Sequence, residues 1–175
     1  MPIDSPDALT LYAARISEER TWQHVLRDPF GADYTDAYLI AASYSRAYAE
    51  RGNGALRIEM EANVAYNFGE QDHLELNFAP VTLRWQRFPW SEHLRTSAAF
   101  GVGLSYALSR PEVEQQIEGD TRQLLIFWLM ELTAGPPAAA WSVVLRLHHR
   151  STGWGVMGVD DGGMNAPGIG FRYEF

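Results

Sequence analysis

The feature that most constrains the fold is an alternation of apolar and polar side chains. It is clearest over Leu56–Phe68, where the even-numbered positions from Ile58 onward are apolar and most odd-numbered ones are charged or amide residues. Successive side chains of a β-strand point to opposite faces of the sheet. The segment therefore predicts a strand with one apolar face and one polar face.

Seven further segments alternate in the same way, which predicts eight strands. The predicted strands are Leu9–Ile16, Asp36–Ala49, Leu56–Phe68, Leu74–Trp85, Thr96–Leu108, Arg122–Thr133, Trp141–Ser151 and Gly168–Phe175. In the fourth segment the apolar phase shifts from even to odd positions around Pro80, which indicates a β-bulge. The polar stretches Glu18–Thr35, Arg110–Asp120 and Gly153–Pro167 are interpreted as long loops.

This pattern is typical of a membrane barrel. Outer-membrane barrels have an even number of strands, short turns at one end, longer loops at the other and aromatic side chains at both interfaces. The chain has 175 residues with 6 Trp, 8 Tyr and 8 Phe, and most of its connections alternate between long and short, although Gly69–His73 is short where a long one is expected. We predict a single domain, residues 1–175, that is an all-β, eight-stranded antiparallel up-and-down transmembrane β-barrel in the bacterial outer membrane.

The polar faces of these strands carry charges that the barrel must enclose. In an eight-stranded barrel side chains fill the interior, so we expect the inward charges to pair with one another. The residues predicted to point inward are Arg57, Glu59, Glu61, Arg84, Arg146, Arg172 and Glu174. The alternative is a soluble barrel of the lipocalin type, whose apolar face would turn inward around an apolar ligand.

Composition excludes several functions. The 14 basic residues, all arginine, and 22 acidic residues give a net charge of −8 and form no basic stripe, which argues against nucleic-acid binding. Without cysteine the chain has neither disulfides nor thiolate metal sites. His24, His73 and His93 are scattered singly, so no metal or other cofactor is predicted, although calcium at the acidic loop tips stays open.

The start of the chain does not resemble a signal peptide. Residues Met1–Asp7 lack the basic and apolar regions that such a peptide needs. We expect either a cytosolic protein or one whose signal has been removed. The sequence also leaves a homodimer open.

One pair of residues at the end of the seventh strand indicates chemistry. His149 and Ser151 share a face with the apolar stripe of Trp141–Ser151. A serine hydroxyl becomes a nucleophile when a histidine accepts its proton and a carboxylate orients that histidine. In the loop that follows, Asp160 and Asp161 are the only acids. The simpler interpretation is a pair of polar residues in the membrane interface.

The oxyanion of such a reaction needs hydrogen-bond donors. The backbone N–H groups around Thr152 and Gly153, or the side chain of Asn165, are the candidates. His148 and Arg150 alternate with the pair and point inward, so we expect His148 to form hydrogen bonds in the lumen and Arg150 to pair with luminal acids. The alternative for Arg150 is an anionic headgroup at the rim.

A family resemblance bears on these residues. The segments Arg146–Gly153, Gly162–Asn165 and Gly170–Phe175 resemble the C-terminal signature of the PagL-like lipid A deacylases, and Gly103–Ala107 and Leu124–Leu132 extend the match more weakly. The resemblance covers roughly the last third to half of the chain. It implies an eight-stranded outer-membrane barrel that hydrolyses the ester-linked 3-O acyl chain of lipid A in lipopolysaccharide, with outer-membrane lipid as its surroundings.

The resemblance also implies roles for particular residues. His149 corresponds to the family's base and Ser151 to its nucleophile. The family commonly has asparagine where this chain has Thr152, and its glutamate position falls near Gly163, which leaves Asp160 or Asp161 to orient the histidine. Two functions follow as hypotheses: an outer-membrane esterase, or a non-catalytic outer-membrane barrel that acts structurally or through its long loops.

Overall fold

The chain folds into one closed barrel, described here from a computed structural model for residues 3–160 and 162–175. Its strands are β1 (Asp7–Ser17), β2 (Tyr34–Arg51), β3 (Leu56–Gly69), β4 (His73–Trp85), β5 (Arg95–Ala107), β6 (Leu124–Gly135), β7 (Trp141–Ser151) and β8 (Gly163–Glu174), with two short helices, α1 (Trp22–Arg27) and α2 (Glu112–Glu118). Each strand is antiparallel to the next, and β8 pairs with β1 to close the sheet. The predicted eight-stranded antiparallel barrel is confirmed.

The connections sort to the two ends of the barrel. Both termini and the connections 52–55, 86–94 and 136–140 lie at one end, and the connections 18–33, 70–72, 108–123 and 152–162 lie at the other. We call the second end the outer end, because the longer loops of outer-membrane barrels face the exterior. The short connection 70–72 at this end agrees with the sequence prediction.

Apolar side chains cover the outside of the barrel. Leu11, Val64 and Phe171 are among the large apolar side chains that are exposed on the outer wall, whereas Glu59 and Glu61 are buried on the inner face. The arrangement is the reverse of a soluble lipocalin-type barrel, and that alternative is wrong for this chain. Within the described residues, no helix is long and apolar enough to cross a membrane.

The predicted pairing of the luminal charges is confirmed. Arg84 lies at the centre of the network, 3.0 Å from Glu59 and 2.8 Å from Glu131. Arg146 pairs with Glu61 and lies 3.5 Å from Glu131. Arg172 pairs with Glu59 at 3.1 Å and with Glu174 at 3.3 Å. Arg57 pairs at 2.8 Å with Glu50, which was not among the residues predicted to point inward. The charges thus neutralise one another within the barrel and link strands that are not neighbours in the sheet.

His148 and Arg150 also point into the lumen, as predicted. His148 contacts the Tyr12 hydroxyl through Nδ1 and Glu75 through Nε2, both at 2.7 Å. Arg150 pairs with Glu114 of α2 at 2.5 Å. The alternative of a headgroup contact for Arg150 is therefore wrong, since its guanidinium is fully buried.

The structure departs from the sequence predictions at three places. Two polar stretches that were interpreted as loops contain α1 and α2, which are too short to show a helical period. The third departure concerns β8, which begins at Gly163 rather than Gly168. Residues 163–167 include Pro167, and proline normally interrupts a strand because it has no backbone N–H. Here Pro167 lies where the pairing of β8 with β1 is already interrupted, between Asn165 and Gly168. The bulge predicted at Pro80 is present as a register shift.

Candidate active site

The end of β7 places His149 and Ser151 together on the outer wall. His149 lies opposite Trp128 of β6 and Asn165 of β8, and Ser151 lies opposite Ile126 and Gly163. All of these positions belong to the outward face of the sheet near its outer end. The alternation of β7 therefore brings the predicted base and nucleophile to one membrane-facing position.

The imidazole of His149 is held on two sides. Its ring lies against the ring of Trp128, with the centroids 4.1 Å apart and the planes tilted by 32°. Its Nδ1 lies 2.7 Å from Oδ1 of Asn165, and Nδ2 of Asn165 donates to the backbone carbonyl of Glu19 at 2.8 Å. The Glu19 carbonyl can only accept, so it fixes the amide with Oδ1 toward the histidine.

This hydrogen-bond chain determines the tautomer of His149. An amide oxygen accepts, so Nδ1 of His149 must carry the proton that it donates to Asn165. The second ring nitrogen, Nε2, then carries a lone pair. A histidine in this state is a base whose free nitrogen is ready to accept a proton.

Ser151 lies next to this base. Its Oγ accepts a hydrogen bond from the backbone N–H of Gly153 at 3.1 Å. Within the described residues, His149 and Ser151 share no hydrogen bond, but as strand residues two apart on one face they are within reach after rotation of the serine side chain. The hydroxyl proton of Ser151 is not used in the Gly153 contact and remains available to Nε2.

Gly153 makes the turn beyond Ser151 sterically feasible. Its φ is +62°, and a Cβ built there would lie 2.3 Å from Cδ1 of Ile126. A side chain here would strain the left-handed backbone, and the tip of the Ile126 side chain would have to move to make room for it. The turn returns the chain so that the Gly153 N–H points at the Ser151 oxygen.

The residues predicted as the orienting acid and the oxyanion donor, Asp160, Asp161 and Asn165, do not all lie where those roles require. Among the described residues, the ring nitrogen contact of His149 is with Asn165 and not with Asp160, whose backbone oxygen accepts from the Thr152 hydroxyl at 3.2 Å. Asp161 lies outside the described residues. Asn165 was predicted as an oxyanion donor, but its amide is engaged by His149 and by Glu19.

Sequence reasoning missed three contributors to the site. Closure of the barrel brings Trp128 against His149. The return of the α1 loop brings the Glu19 carbonyl to Asn165 and Trp22 to Trp128. Trp22 contacts the edge of Trp128, with the ring centroids 5.8 Å apart. Glu19 and Asn165 are separated by 146 residues, and no local pattern relates them.

A groove of about 740 Å³ opens in front of these side chains. Polar residues reach it from two directions: His149, Ser151 and the loop that follows on one side, and Arg20, Gln23 and Glu118 on the side of the two helices. Its apolar lining is formed by Trp22, Phe100, Val102, Ile126, Trp128 and Met130. The candidate nucleophile therefore faces a groove that is lined by both polar and apolar side chains.

A second groove, of about 830 Å³, extends from the first. Phe100 and Met130 line both grooves. The second groove runs down the outer wall toward Leu145, beside Val25 and Leu26 of α1. Because α1 folds over the outside of the barrel, the two grooves form one apolar path that begins at Ser151.

The described residues contain no group of three or more His, Asp or Glu that could hold a metal ion.

Comparison with known proteins places the fold. Neither a protein-family model nor a characterised protein sequence matches the chain. The outer membrane enzyme PagL has a similar structure, with a TM-score of 0.65, 11% sequence identity, and coverage of 97% of this chain and 99% of that one. The chain is an outer-membrane β-barrel.

A second similar structure is Neisserial surface protein A. It has a TM-score of 0.54 and 10% sequence identity, and the match covers 97% of each chain. At these identities both likenesses concern the fold. Together with the apolar outer wall, they confirm the predicted location in the bacterial outer membrane.

Proposed function

We propose that the protein is an outer-membrane esterase that removes an ester-linked acyl chain from lipid A, with Ser151 as nucleophile and His149 as base. The observation that carries the proposal is the hydrogen-bond chain from the Glu19 carbonyl through Asn165 to His149. It leaves Nε2 as an acceptor on the strand face that also carries Ser151, and both residues line the opening of an apolar path on the membrane-facing wall.

The reaction follows from these positions. Nε2 of His149 takes the proton of Ser151 as Oγ attacks the ester carbonyl carbon, which gives a tetrahedral oxyanion. The imidazolium then donates its proton to the departing sugar oxygen, and the acyl group remains on Ser151. Water attacks the acyl-enzyme with His149 again as base, which releases the fatty acid and restores the serine.

We assign the orienting role to Asn165 in preference to Asp160. A neutral amide oxygen can accept from Nδ1–H and hold the ring, as asparagine does in cysteine proteases with a Cys-His-Asn site. It lacks the negative charge that would offset the imidazolium, so the base is weaker than with a carboxylate. Asp161 remains the alternative acid that the sequence predicted, and its Asp161→Asn variant decides between them.

Donors for the oxyanion are available at the turn after β7. The backbone nitrogen of Gly153 lies 3.1 Å from Oγ of Ser151 and donates its hydrogen to it. Attack moves charge onto the former carbonyl oxygen, which is two bonds from Oγ, and we assign the same N–H as a donor to it. The Thr152 backbone N–H is the second donor of this proposal.

The apolar path suits the chain of a membrane lipid. From Ser151 to Leu145 it follows six strand residues, about 20 Å along the strand. Because barrel strands are tilted by roughly 35–45°, this corresponds to a depth of about 15 Å, which matches one leaflet. The path lies on the outer wall beside Leu147, where an acyl chain already in the membrane can enter without passing through water. Lipid A fits because Ser151 lies at the outer end, and because the chain resembles the lipid A deacylases.

The proposal is tested by the mass spectrum of lipid A from cells that export the protein, compared with cells that export the Ser151→Ala variant. We expect the wild type to remove one hydroxyacyl chain and the variant to remove none. Heat-modifiable gel mobility shows that both are folded in the outer membrane. Unchanged lipid A from folded wild type would contradict the proposal and leave a barrel with a structural or interaction role.

A further inference from the structure

The helix α2 lies at the outer mouth of the barrel and contacts both sides of the candidate site. Val113 and Glu114 of α2 are buried in the mouth. Val113 belongs to an apolar cluster that includes Met164 of β8, and Ile117 packs against the same cluster. One short helix is therefore in contact with the strand that carries Asn165.

From inside the barrel, α2 holds the end of β7. Glu114 pairs with Arg150 at 2.5 Å, and its second carboxylate oxygen accepts from the Thr121 hydroxyl at 2.6 Å. Arg150 also donates to the carbonyls of Arg122 and Gln123, at 3.1 and 2.9 Å. Arg150 lies between His149 and Ser151 in sequence and faces the lumen, so the contact fixes the backbone that carries both.

From outside the barrel, α2 holds the segment that carries Glu19. Arg20 donates to the Ile117 carbonyl at 2.8 Å, and its Nε lies 3.8 Å from the carboxylate of Glu118. The carbonyl of the preceding residue, Glu19, is the acceptor that fixes the amide of Asn165. A displacement of Arg20 would therefore move the group that determines the orientation of Asn165.

We infer that α2 is the positioning element of the active site, and that Glu114 and Arg20 are its positioning residues. Glu114 acts through Arg150 on the backbone of His149 and Ser151, and Arg20 acts through the Glu19 carbonyl on Asn165. Neither residue touches the reacting atoms. The inference rests on the proposed function, because it concerns how that site is held in its reactive geometry.

The test compares Glu114→Gln and Arg20→Ala with the wild type in detergent, on a soluble acyl ester. A misplacement of about 1 Å at a reacting group can cost about 100-fold in rate, so we expect kcat to fall by about ten- to 100-fold in each variant. For Glu114→Gln the KM should stay within about twofold, because Glu114 lines neither groove. Arg20 lines the first groove, so its variant is judged by kcat and by the tautomer of His149 rather than by KM. Arg20→Lys, which retains one donor, should recover part of the lost kcat.

The matched control is Arg110→Ala. Arg110 lies next to α2 and forms an ion pair with Asp120 at 2.5 Å, but the pair is exposed and neither residue is among the described residues that line the groove. We expect wild-type kcat for this variant. An equal loss in the control would overturn the inference, because it would show a general sensitivity of the loop. Arg20 is exposed, so its variant tests the inference even where Glu114→Gln fails to fold.

A second measurement does not depend on activity. The ring ¹⁵N shifts of histidine-labelled protein report which nitrogen of His149 carries the proton, and His149→Gln identifies its signals among the five histidines. We expect Nδ1–H in the wild type and a mixture of tautomers in Arg20→Ala. Wild-type shifts and kcat in both variants would overturn the inference. Wild type that shows the Nδ1–H signal but hydrolyses no ester would contradict the proposed function alone.

Discussion

At the scale of single residues, the site depends on a neutral amide where a carboxylate is usual. Asn165 holds Nδ1 of His149 at 2.7 Å and is itself held by the Glu19 carbonyl. The second contact matters chemically, because a free amide could turn its NH₂ toward Nδ1 and impose the wrong tautomer. The Glu19 contact prevents this rotation and keeps Nε2 free.

Replacement of Asn165 by alanine should therefore reduce kcat. Loss of the orienting contact leaves the nucleophile and base present but misaligned, and we expect a loss of about 100-fold on a soluble ester. The control Asp160→Asn should retain wild-type kcat within about twofold. A large loss in Asp160→Asn, with little change in Asn165→Ala, would return the orienting role to the acid.

The sequence predicted part of this site and could not predict the rest. The alternation of β7 is local, and it placed His149 and Ser151 together on the outer wall, as found. The role of Asn165 could not be predicted for two reasons. Asn165 belongs to β8, whose start at Gly163 was not predicted because Pro167 indicated a loop, and its amide is oriented by the Glu19 carbonyl, 146 residues away. Such contacts exist only once the barrel is closed.

At the scale of elements, helix α1 covers part of the outer wall of the barrel and so encloses the second apolar groove. The outer face of a barrel strand normally meets lipid on all sides, yet Leu147 is buried beside α1. The path passes Ala98 of β5 at its inner part. A larger side chain there should shorten the path without touching the nucleophile.

We expect Ala98→Trp to discriminate between substrates by chain length. Long-chain esters should lose at least about tenfold in kcat/KM, since a blocked pocket rejects even small extra groups by such factors, and short-chain esters should be unaffected. The measurement is a series of soluble esters of increasing length. The control Ala62→Trp lies on the outward face of β3, away from the path, and should behave as wild type; equal profiles for the two variants would contradict the path.

The strands were predictable because their signal is local and repeated, whereas the helices were not. The eight alternating segments and the phase shift at Pro80 were confirmed with differences of a few residues at most ends. Helix α2 has seven residues between Pro111 and the left-handed Gly119. With fewer than two full turns, its burial of Val113 and Glu114 shows no periodic pattern.

At the scale of the whole molecule, the barrel is polar inside and apolar outside. The inner charges form a network around Arg84, which is fully buried with Glu59 and Glu131. Buried charges of this kind are tolerated only in pairs. The outer wall needs lipid around it, because its large apolar side chains are exposed on nearly every strand.

Removal of Arg84 should destabilise the barrel strongly. Arg84→Met leaves Glu59 and Glu131 without their central partner, and breaking a buried pair costs about 3–5 kcal/mol. Arg110→Met, which breaks an exposed pair, should cost under about 1 kcal/mol. Urea-induced unfolding in phospholipid vesicles gives both values, and similar costs for the two variants would show that the luminal network does not stabilise the fold.

A charged side chain introduced on the outer wall should lower the free energy of unfolding in vesicles if that wall faces lipid. Leu11 lies near the middle of β1 and is 62% exposed, and Val156 lies in the loop after β7 and is 77% exposed. Leu11→Arg should destabilise the barrel in vesicles by about 2–4 kcal/mol, as arginine does at the bilayer midplane. Val156→Arg should cost less than about 1 kcal/mol; an equally small effect at Leu11 would mean that the wall does not face lipid.

The central claim is that Ser151 is activated by His149, and covalent trapping tests it most directly. A fluorophosphonate reacts with an activated serine as the serine oxygen bonds to phosphorus and fluoride leaves. We predict one adduct per wild-type chain by intact-protein mass spectrometry, located on Ser151 by peptide mapping, with no adduct in Ser151→Ala and much slower labelling in His149→Ala. An unlabelled wild-type barrel, or an adduct on another residue, would contradict the account.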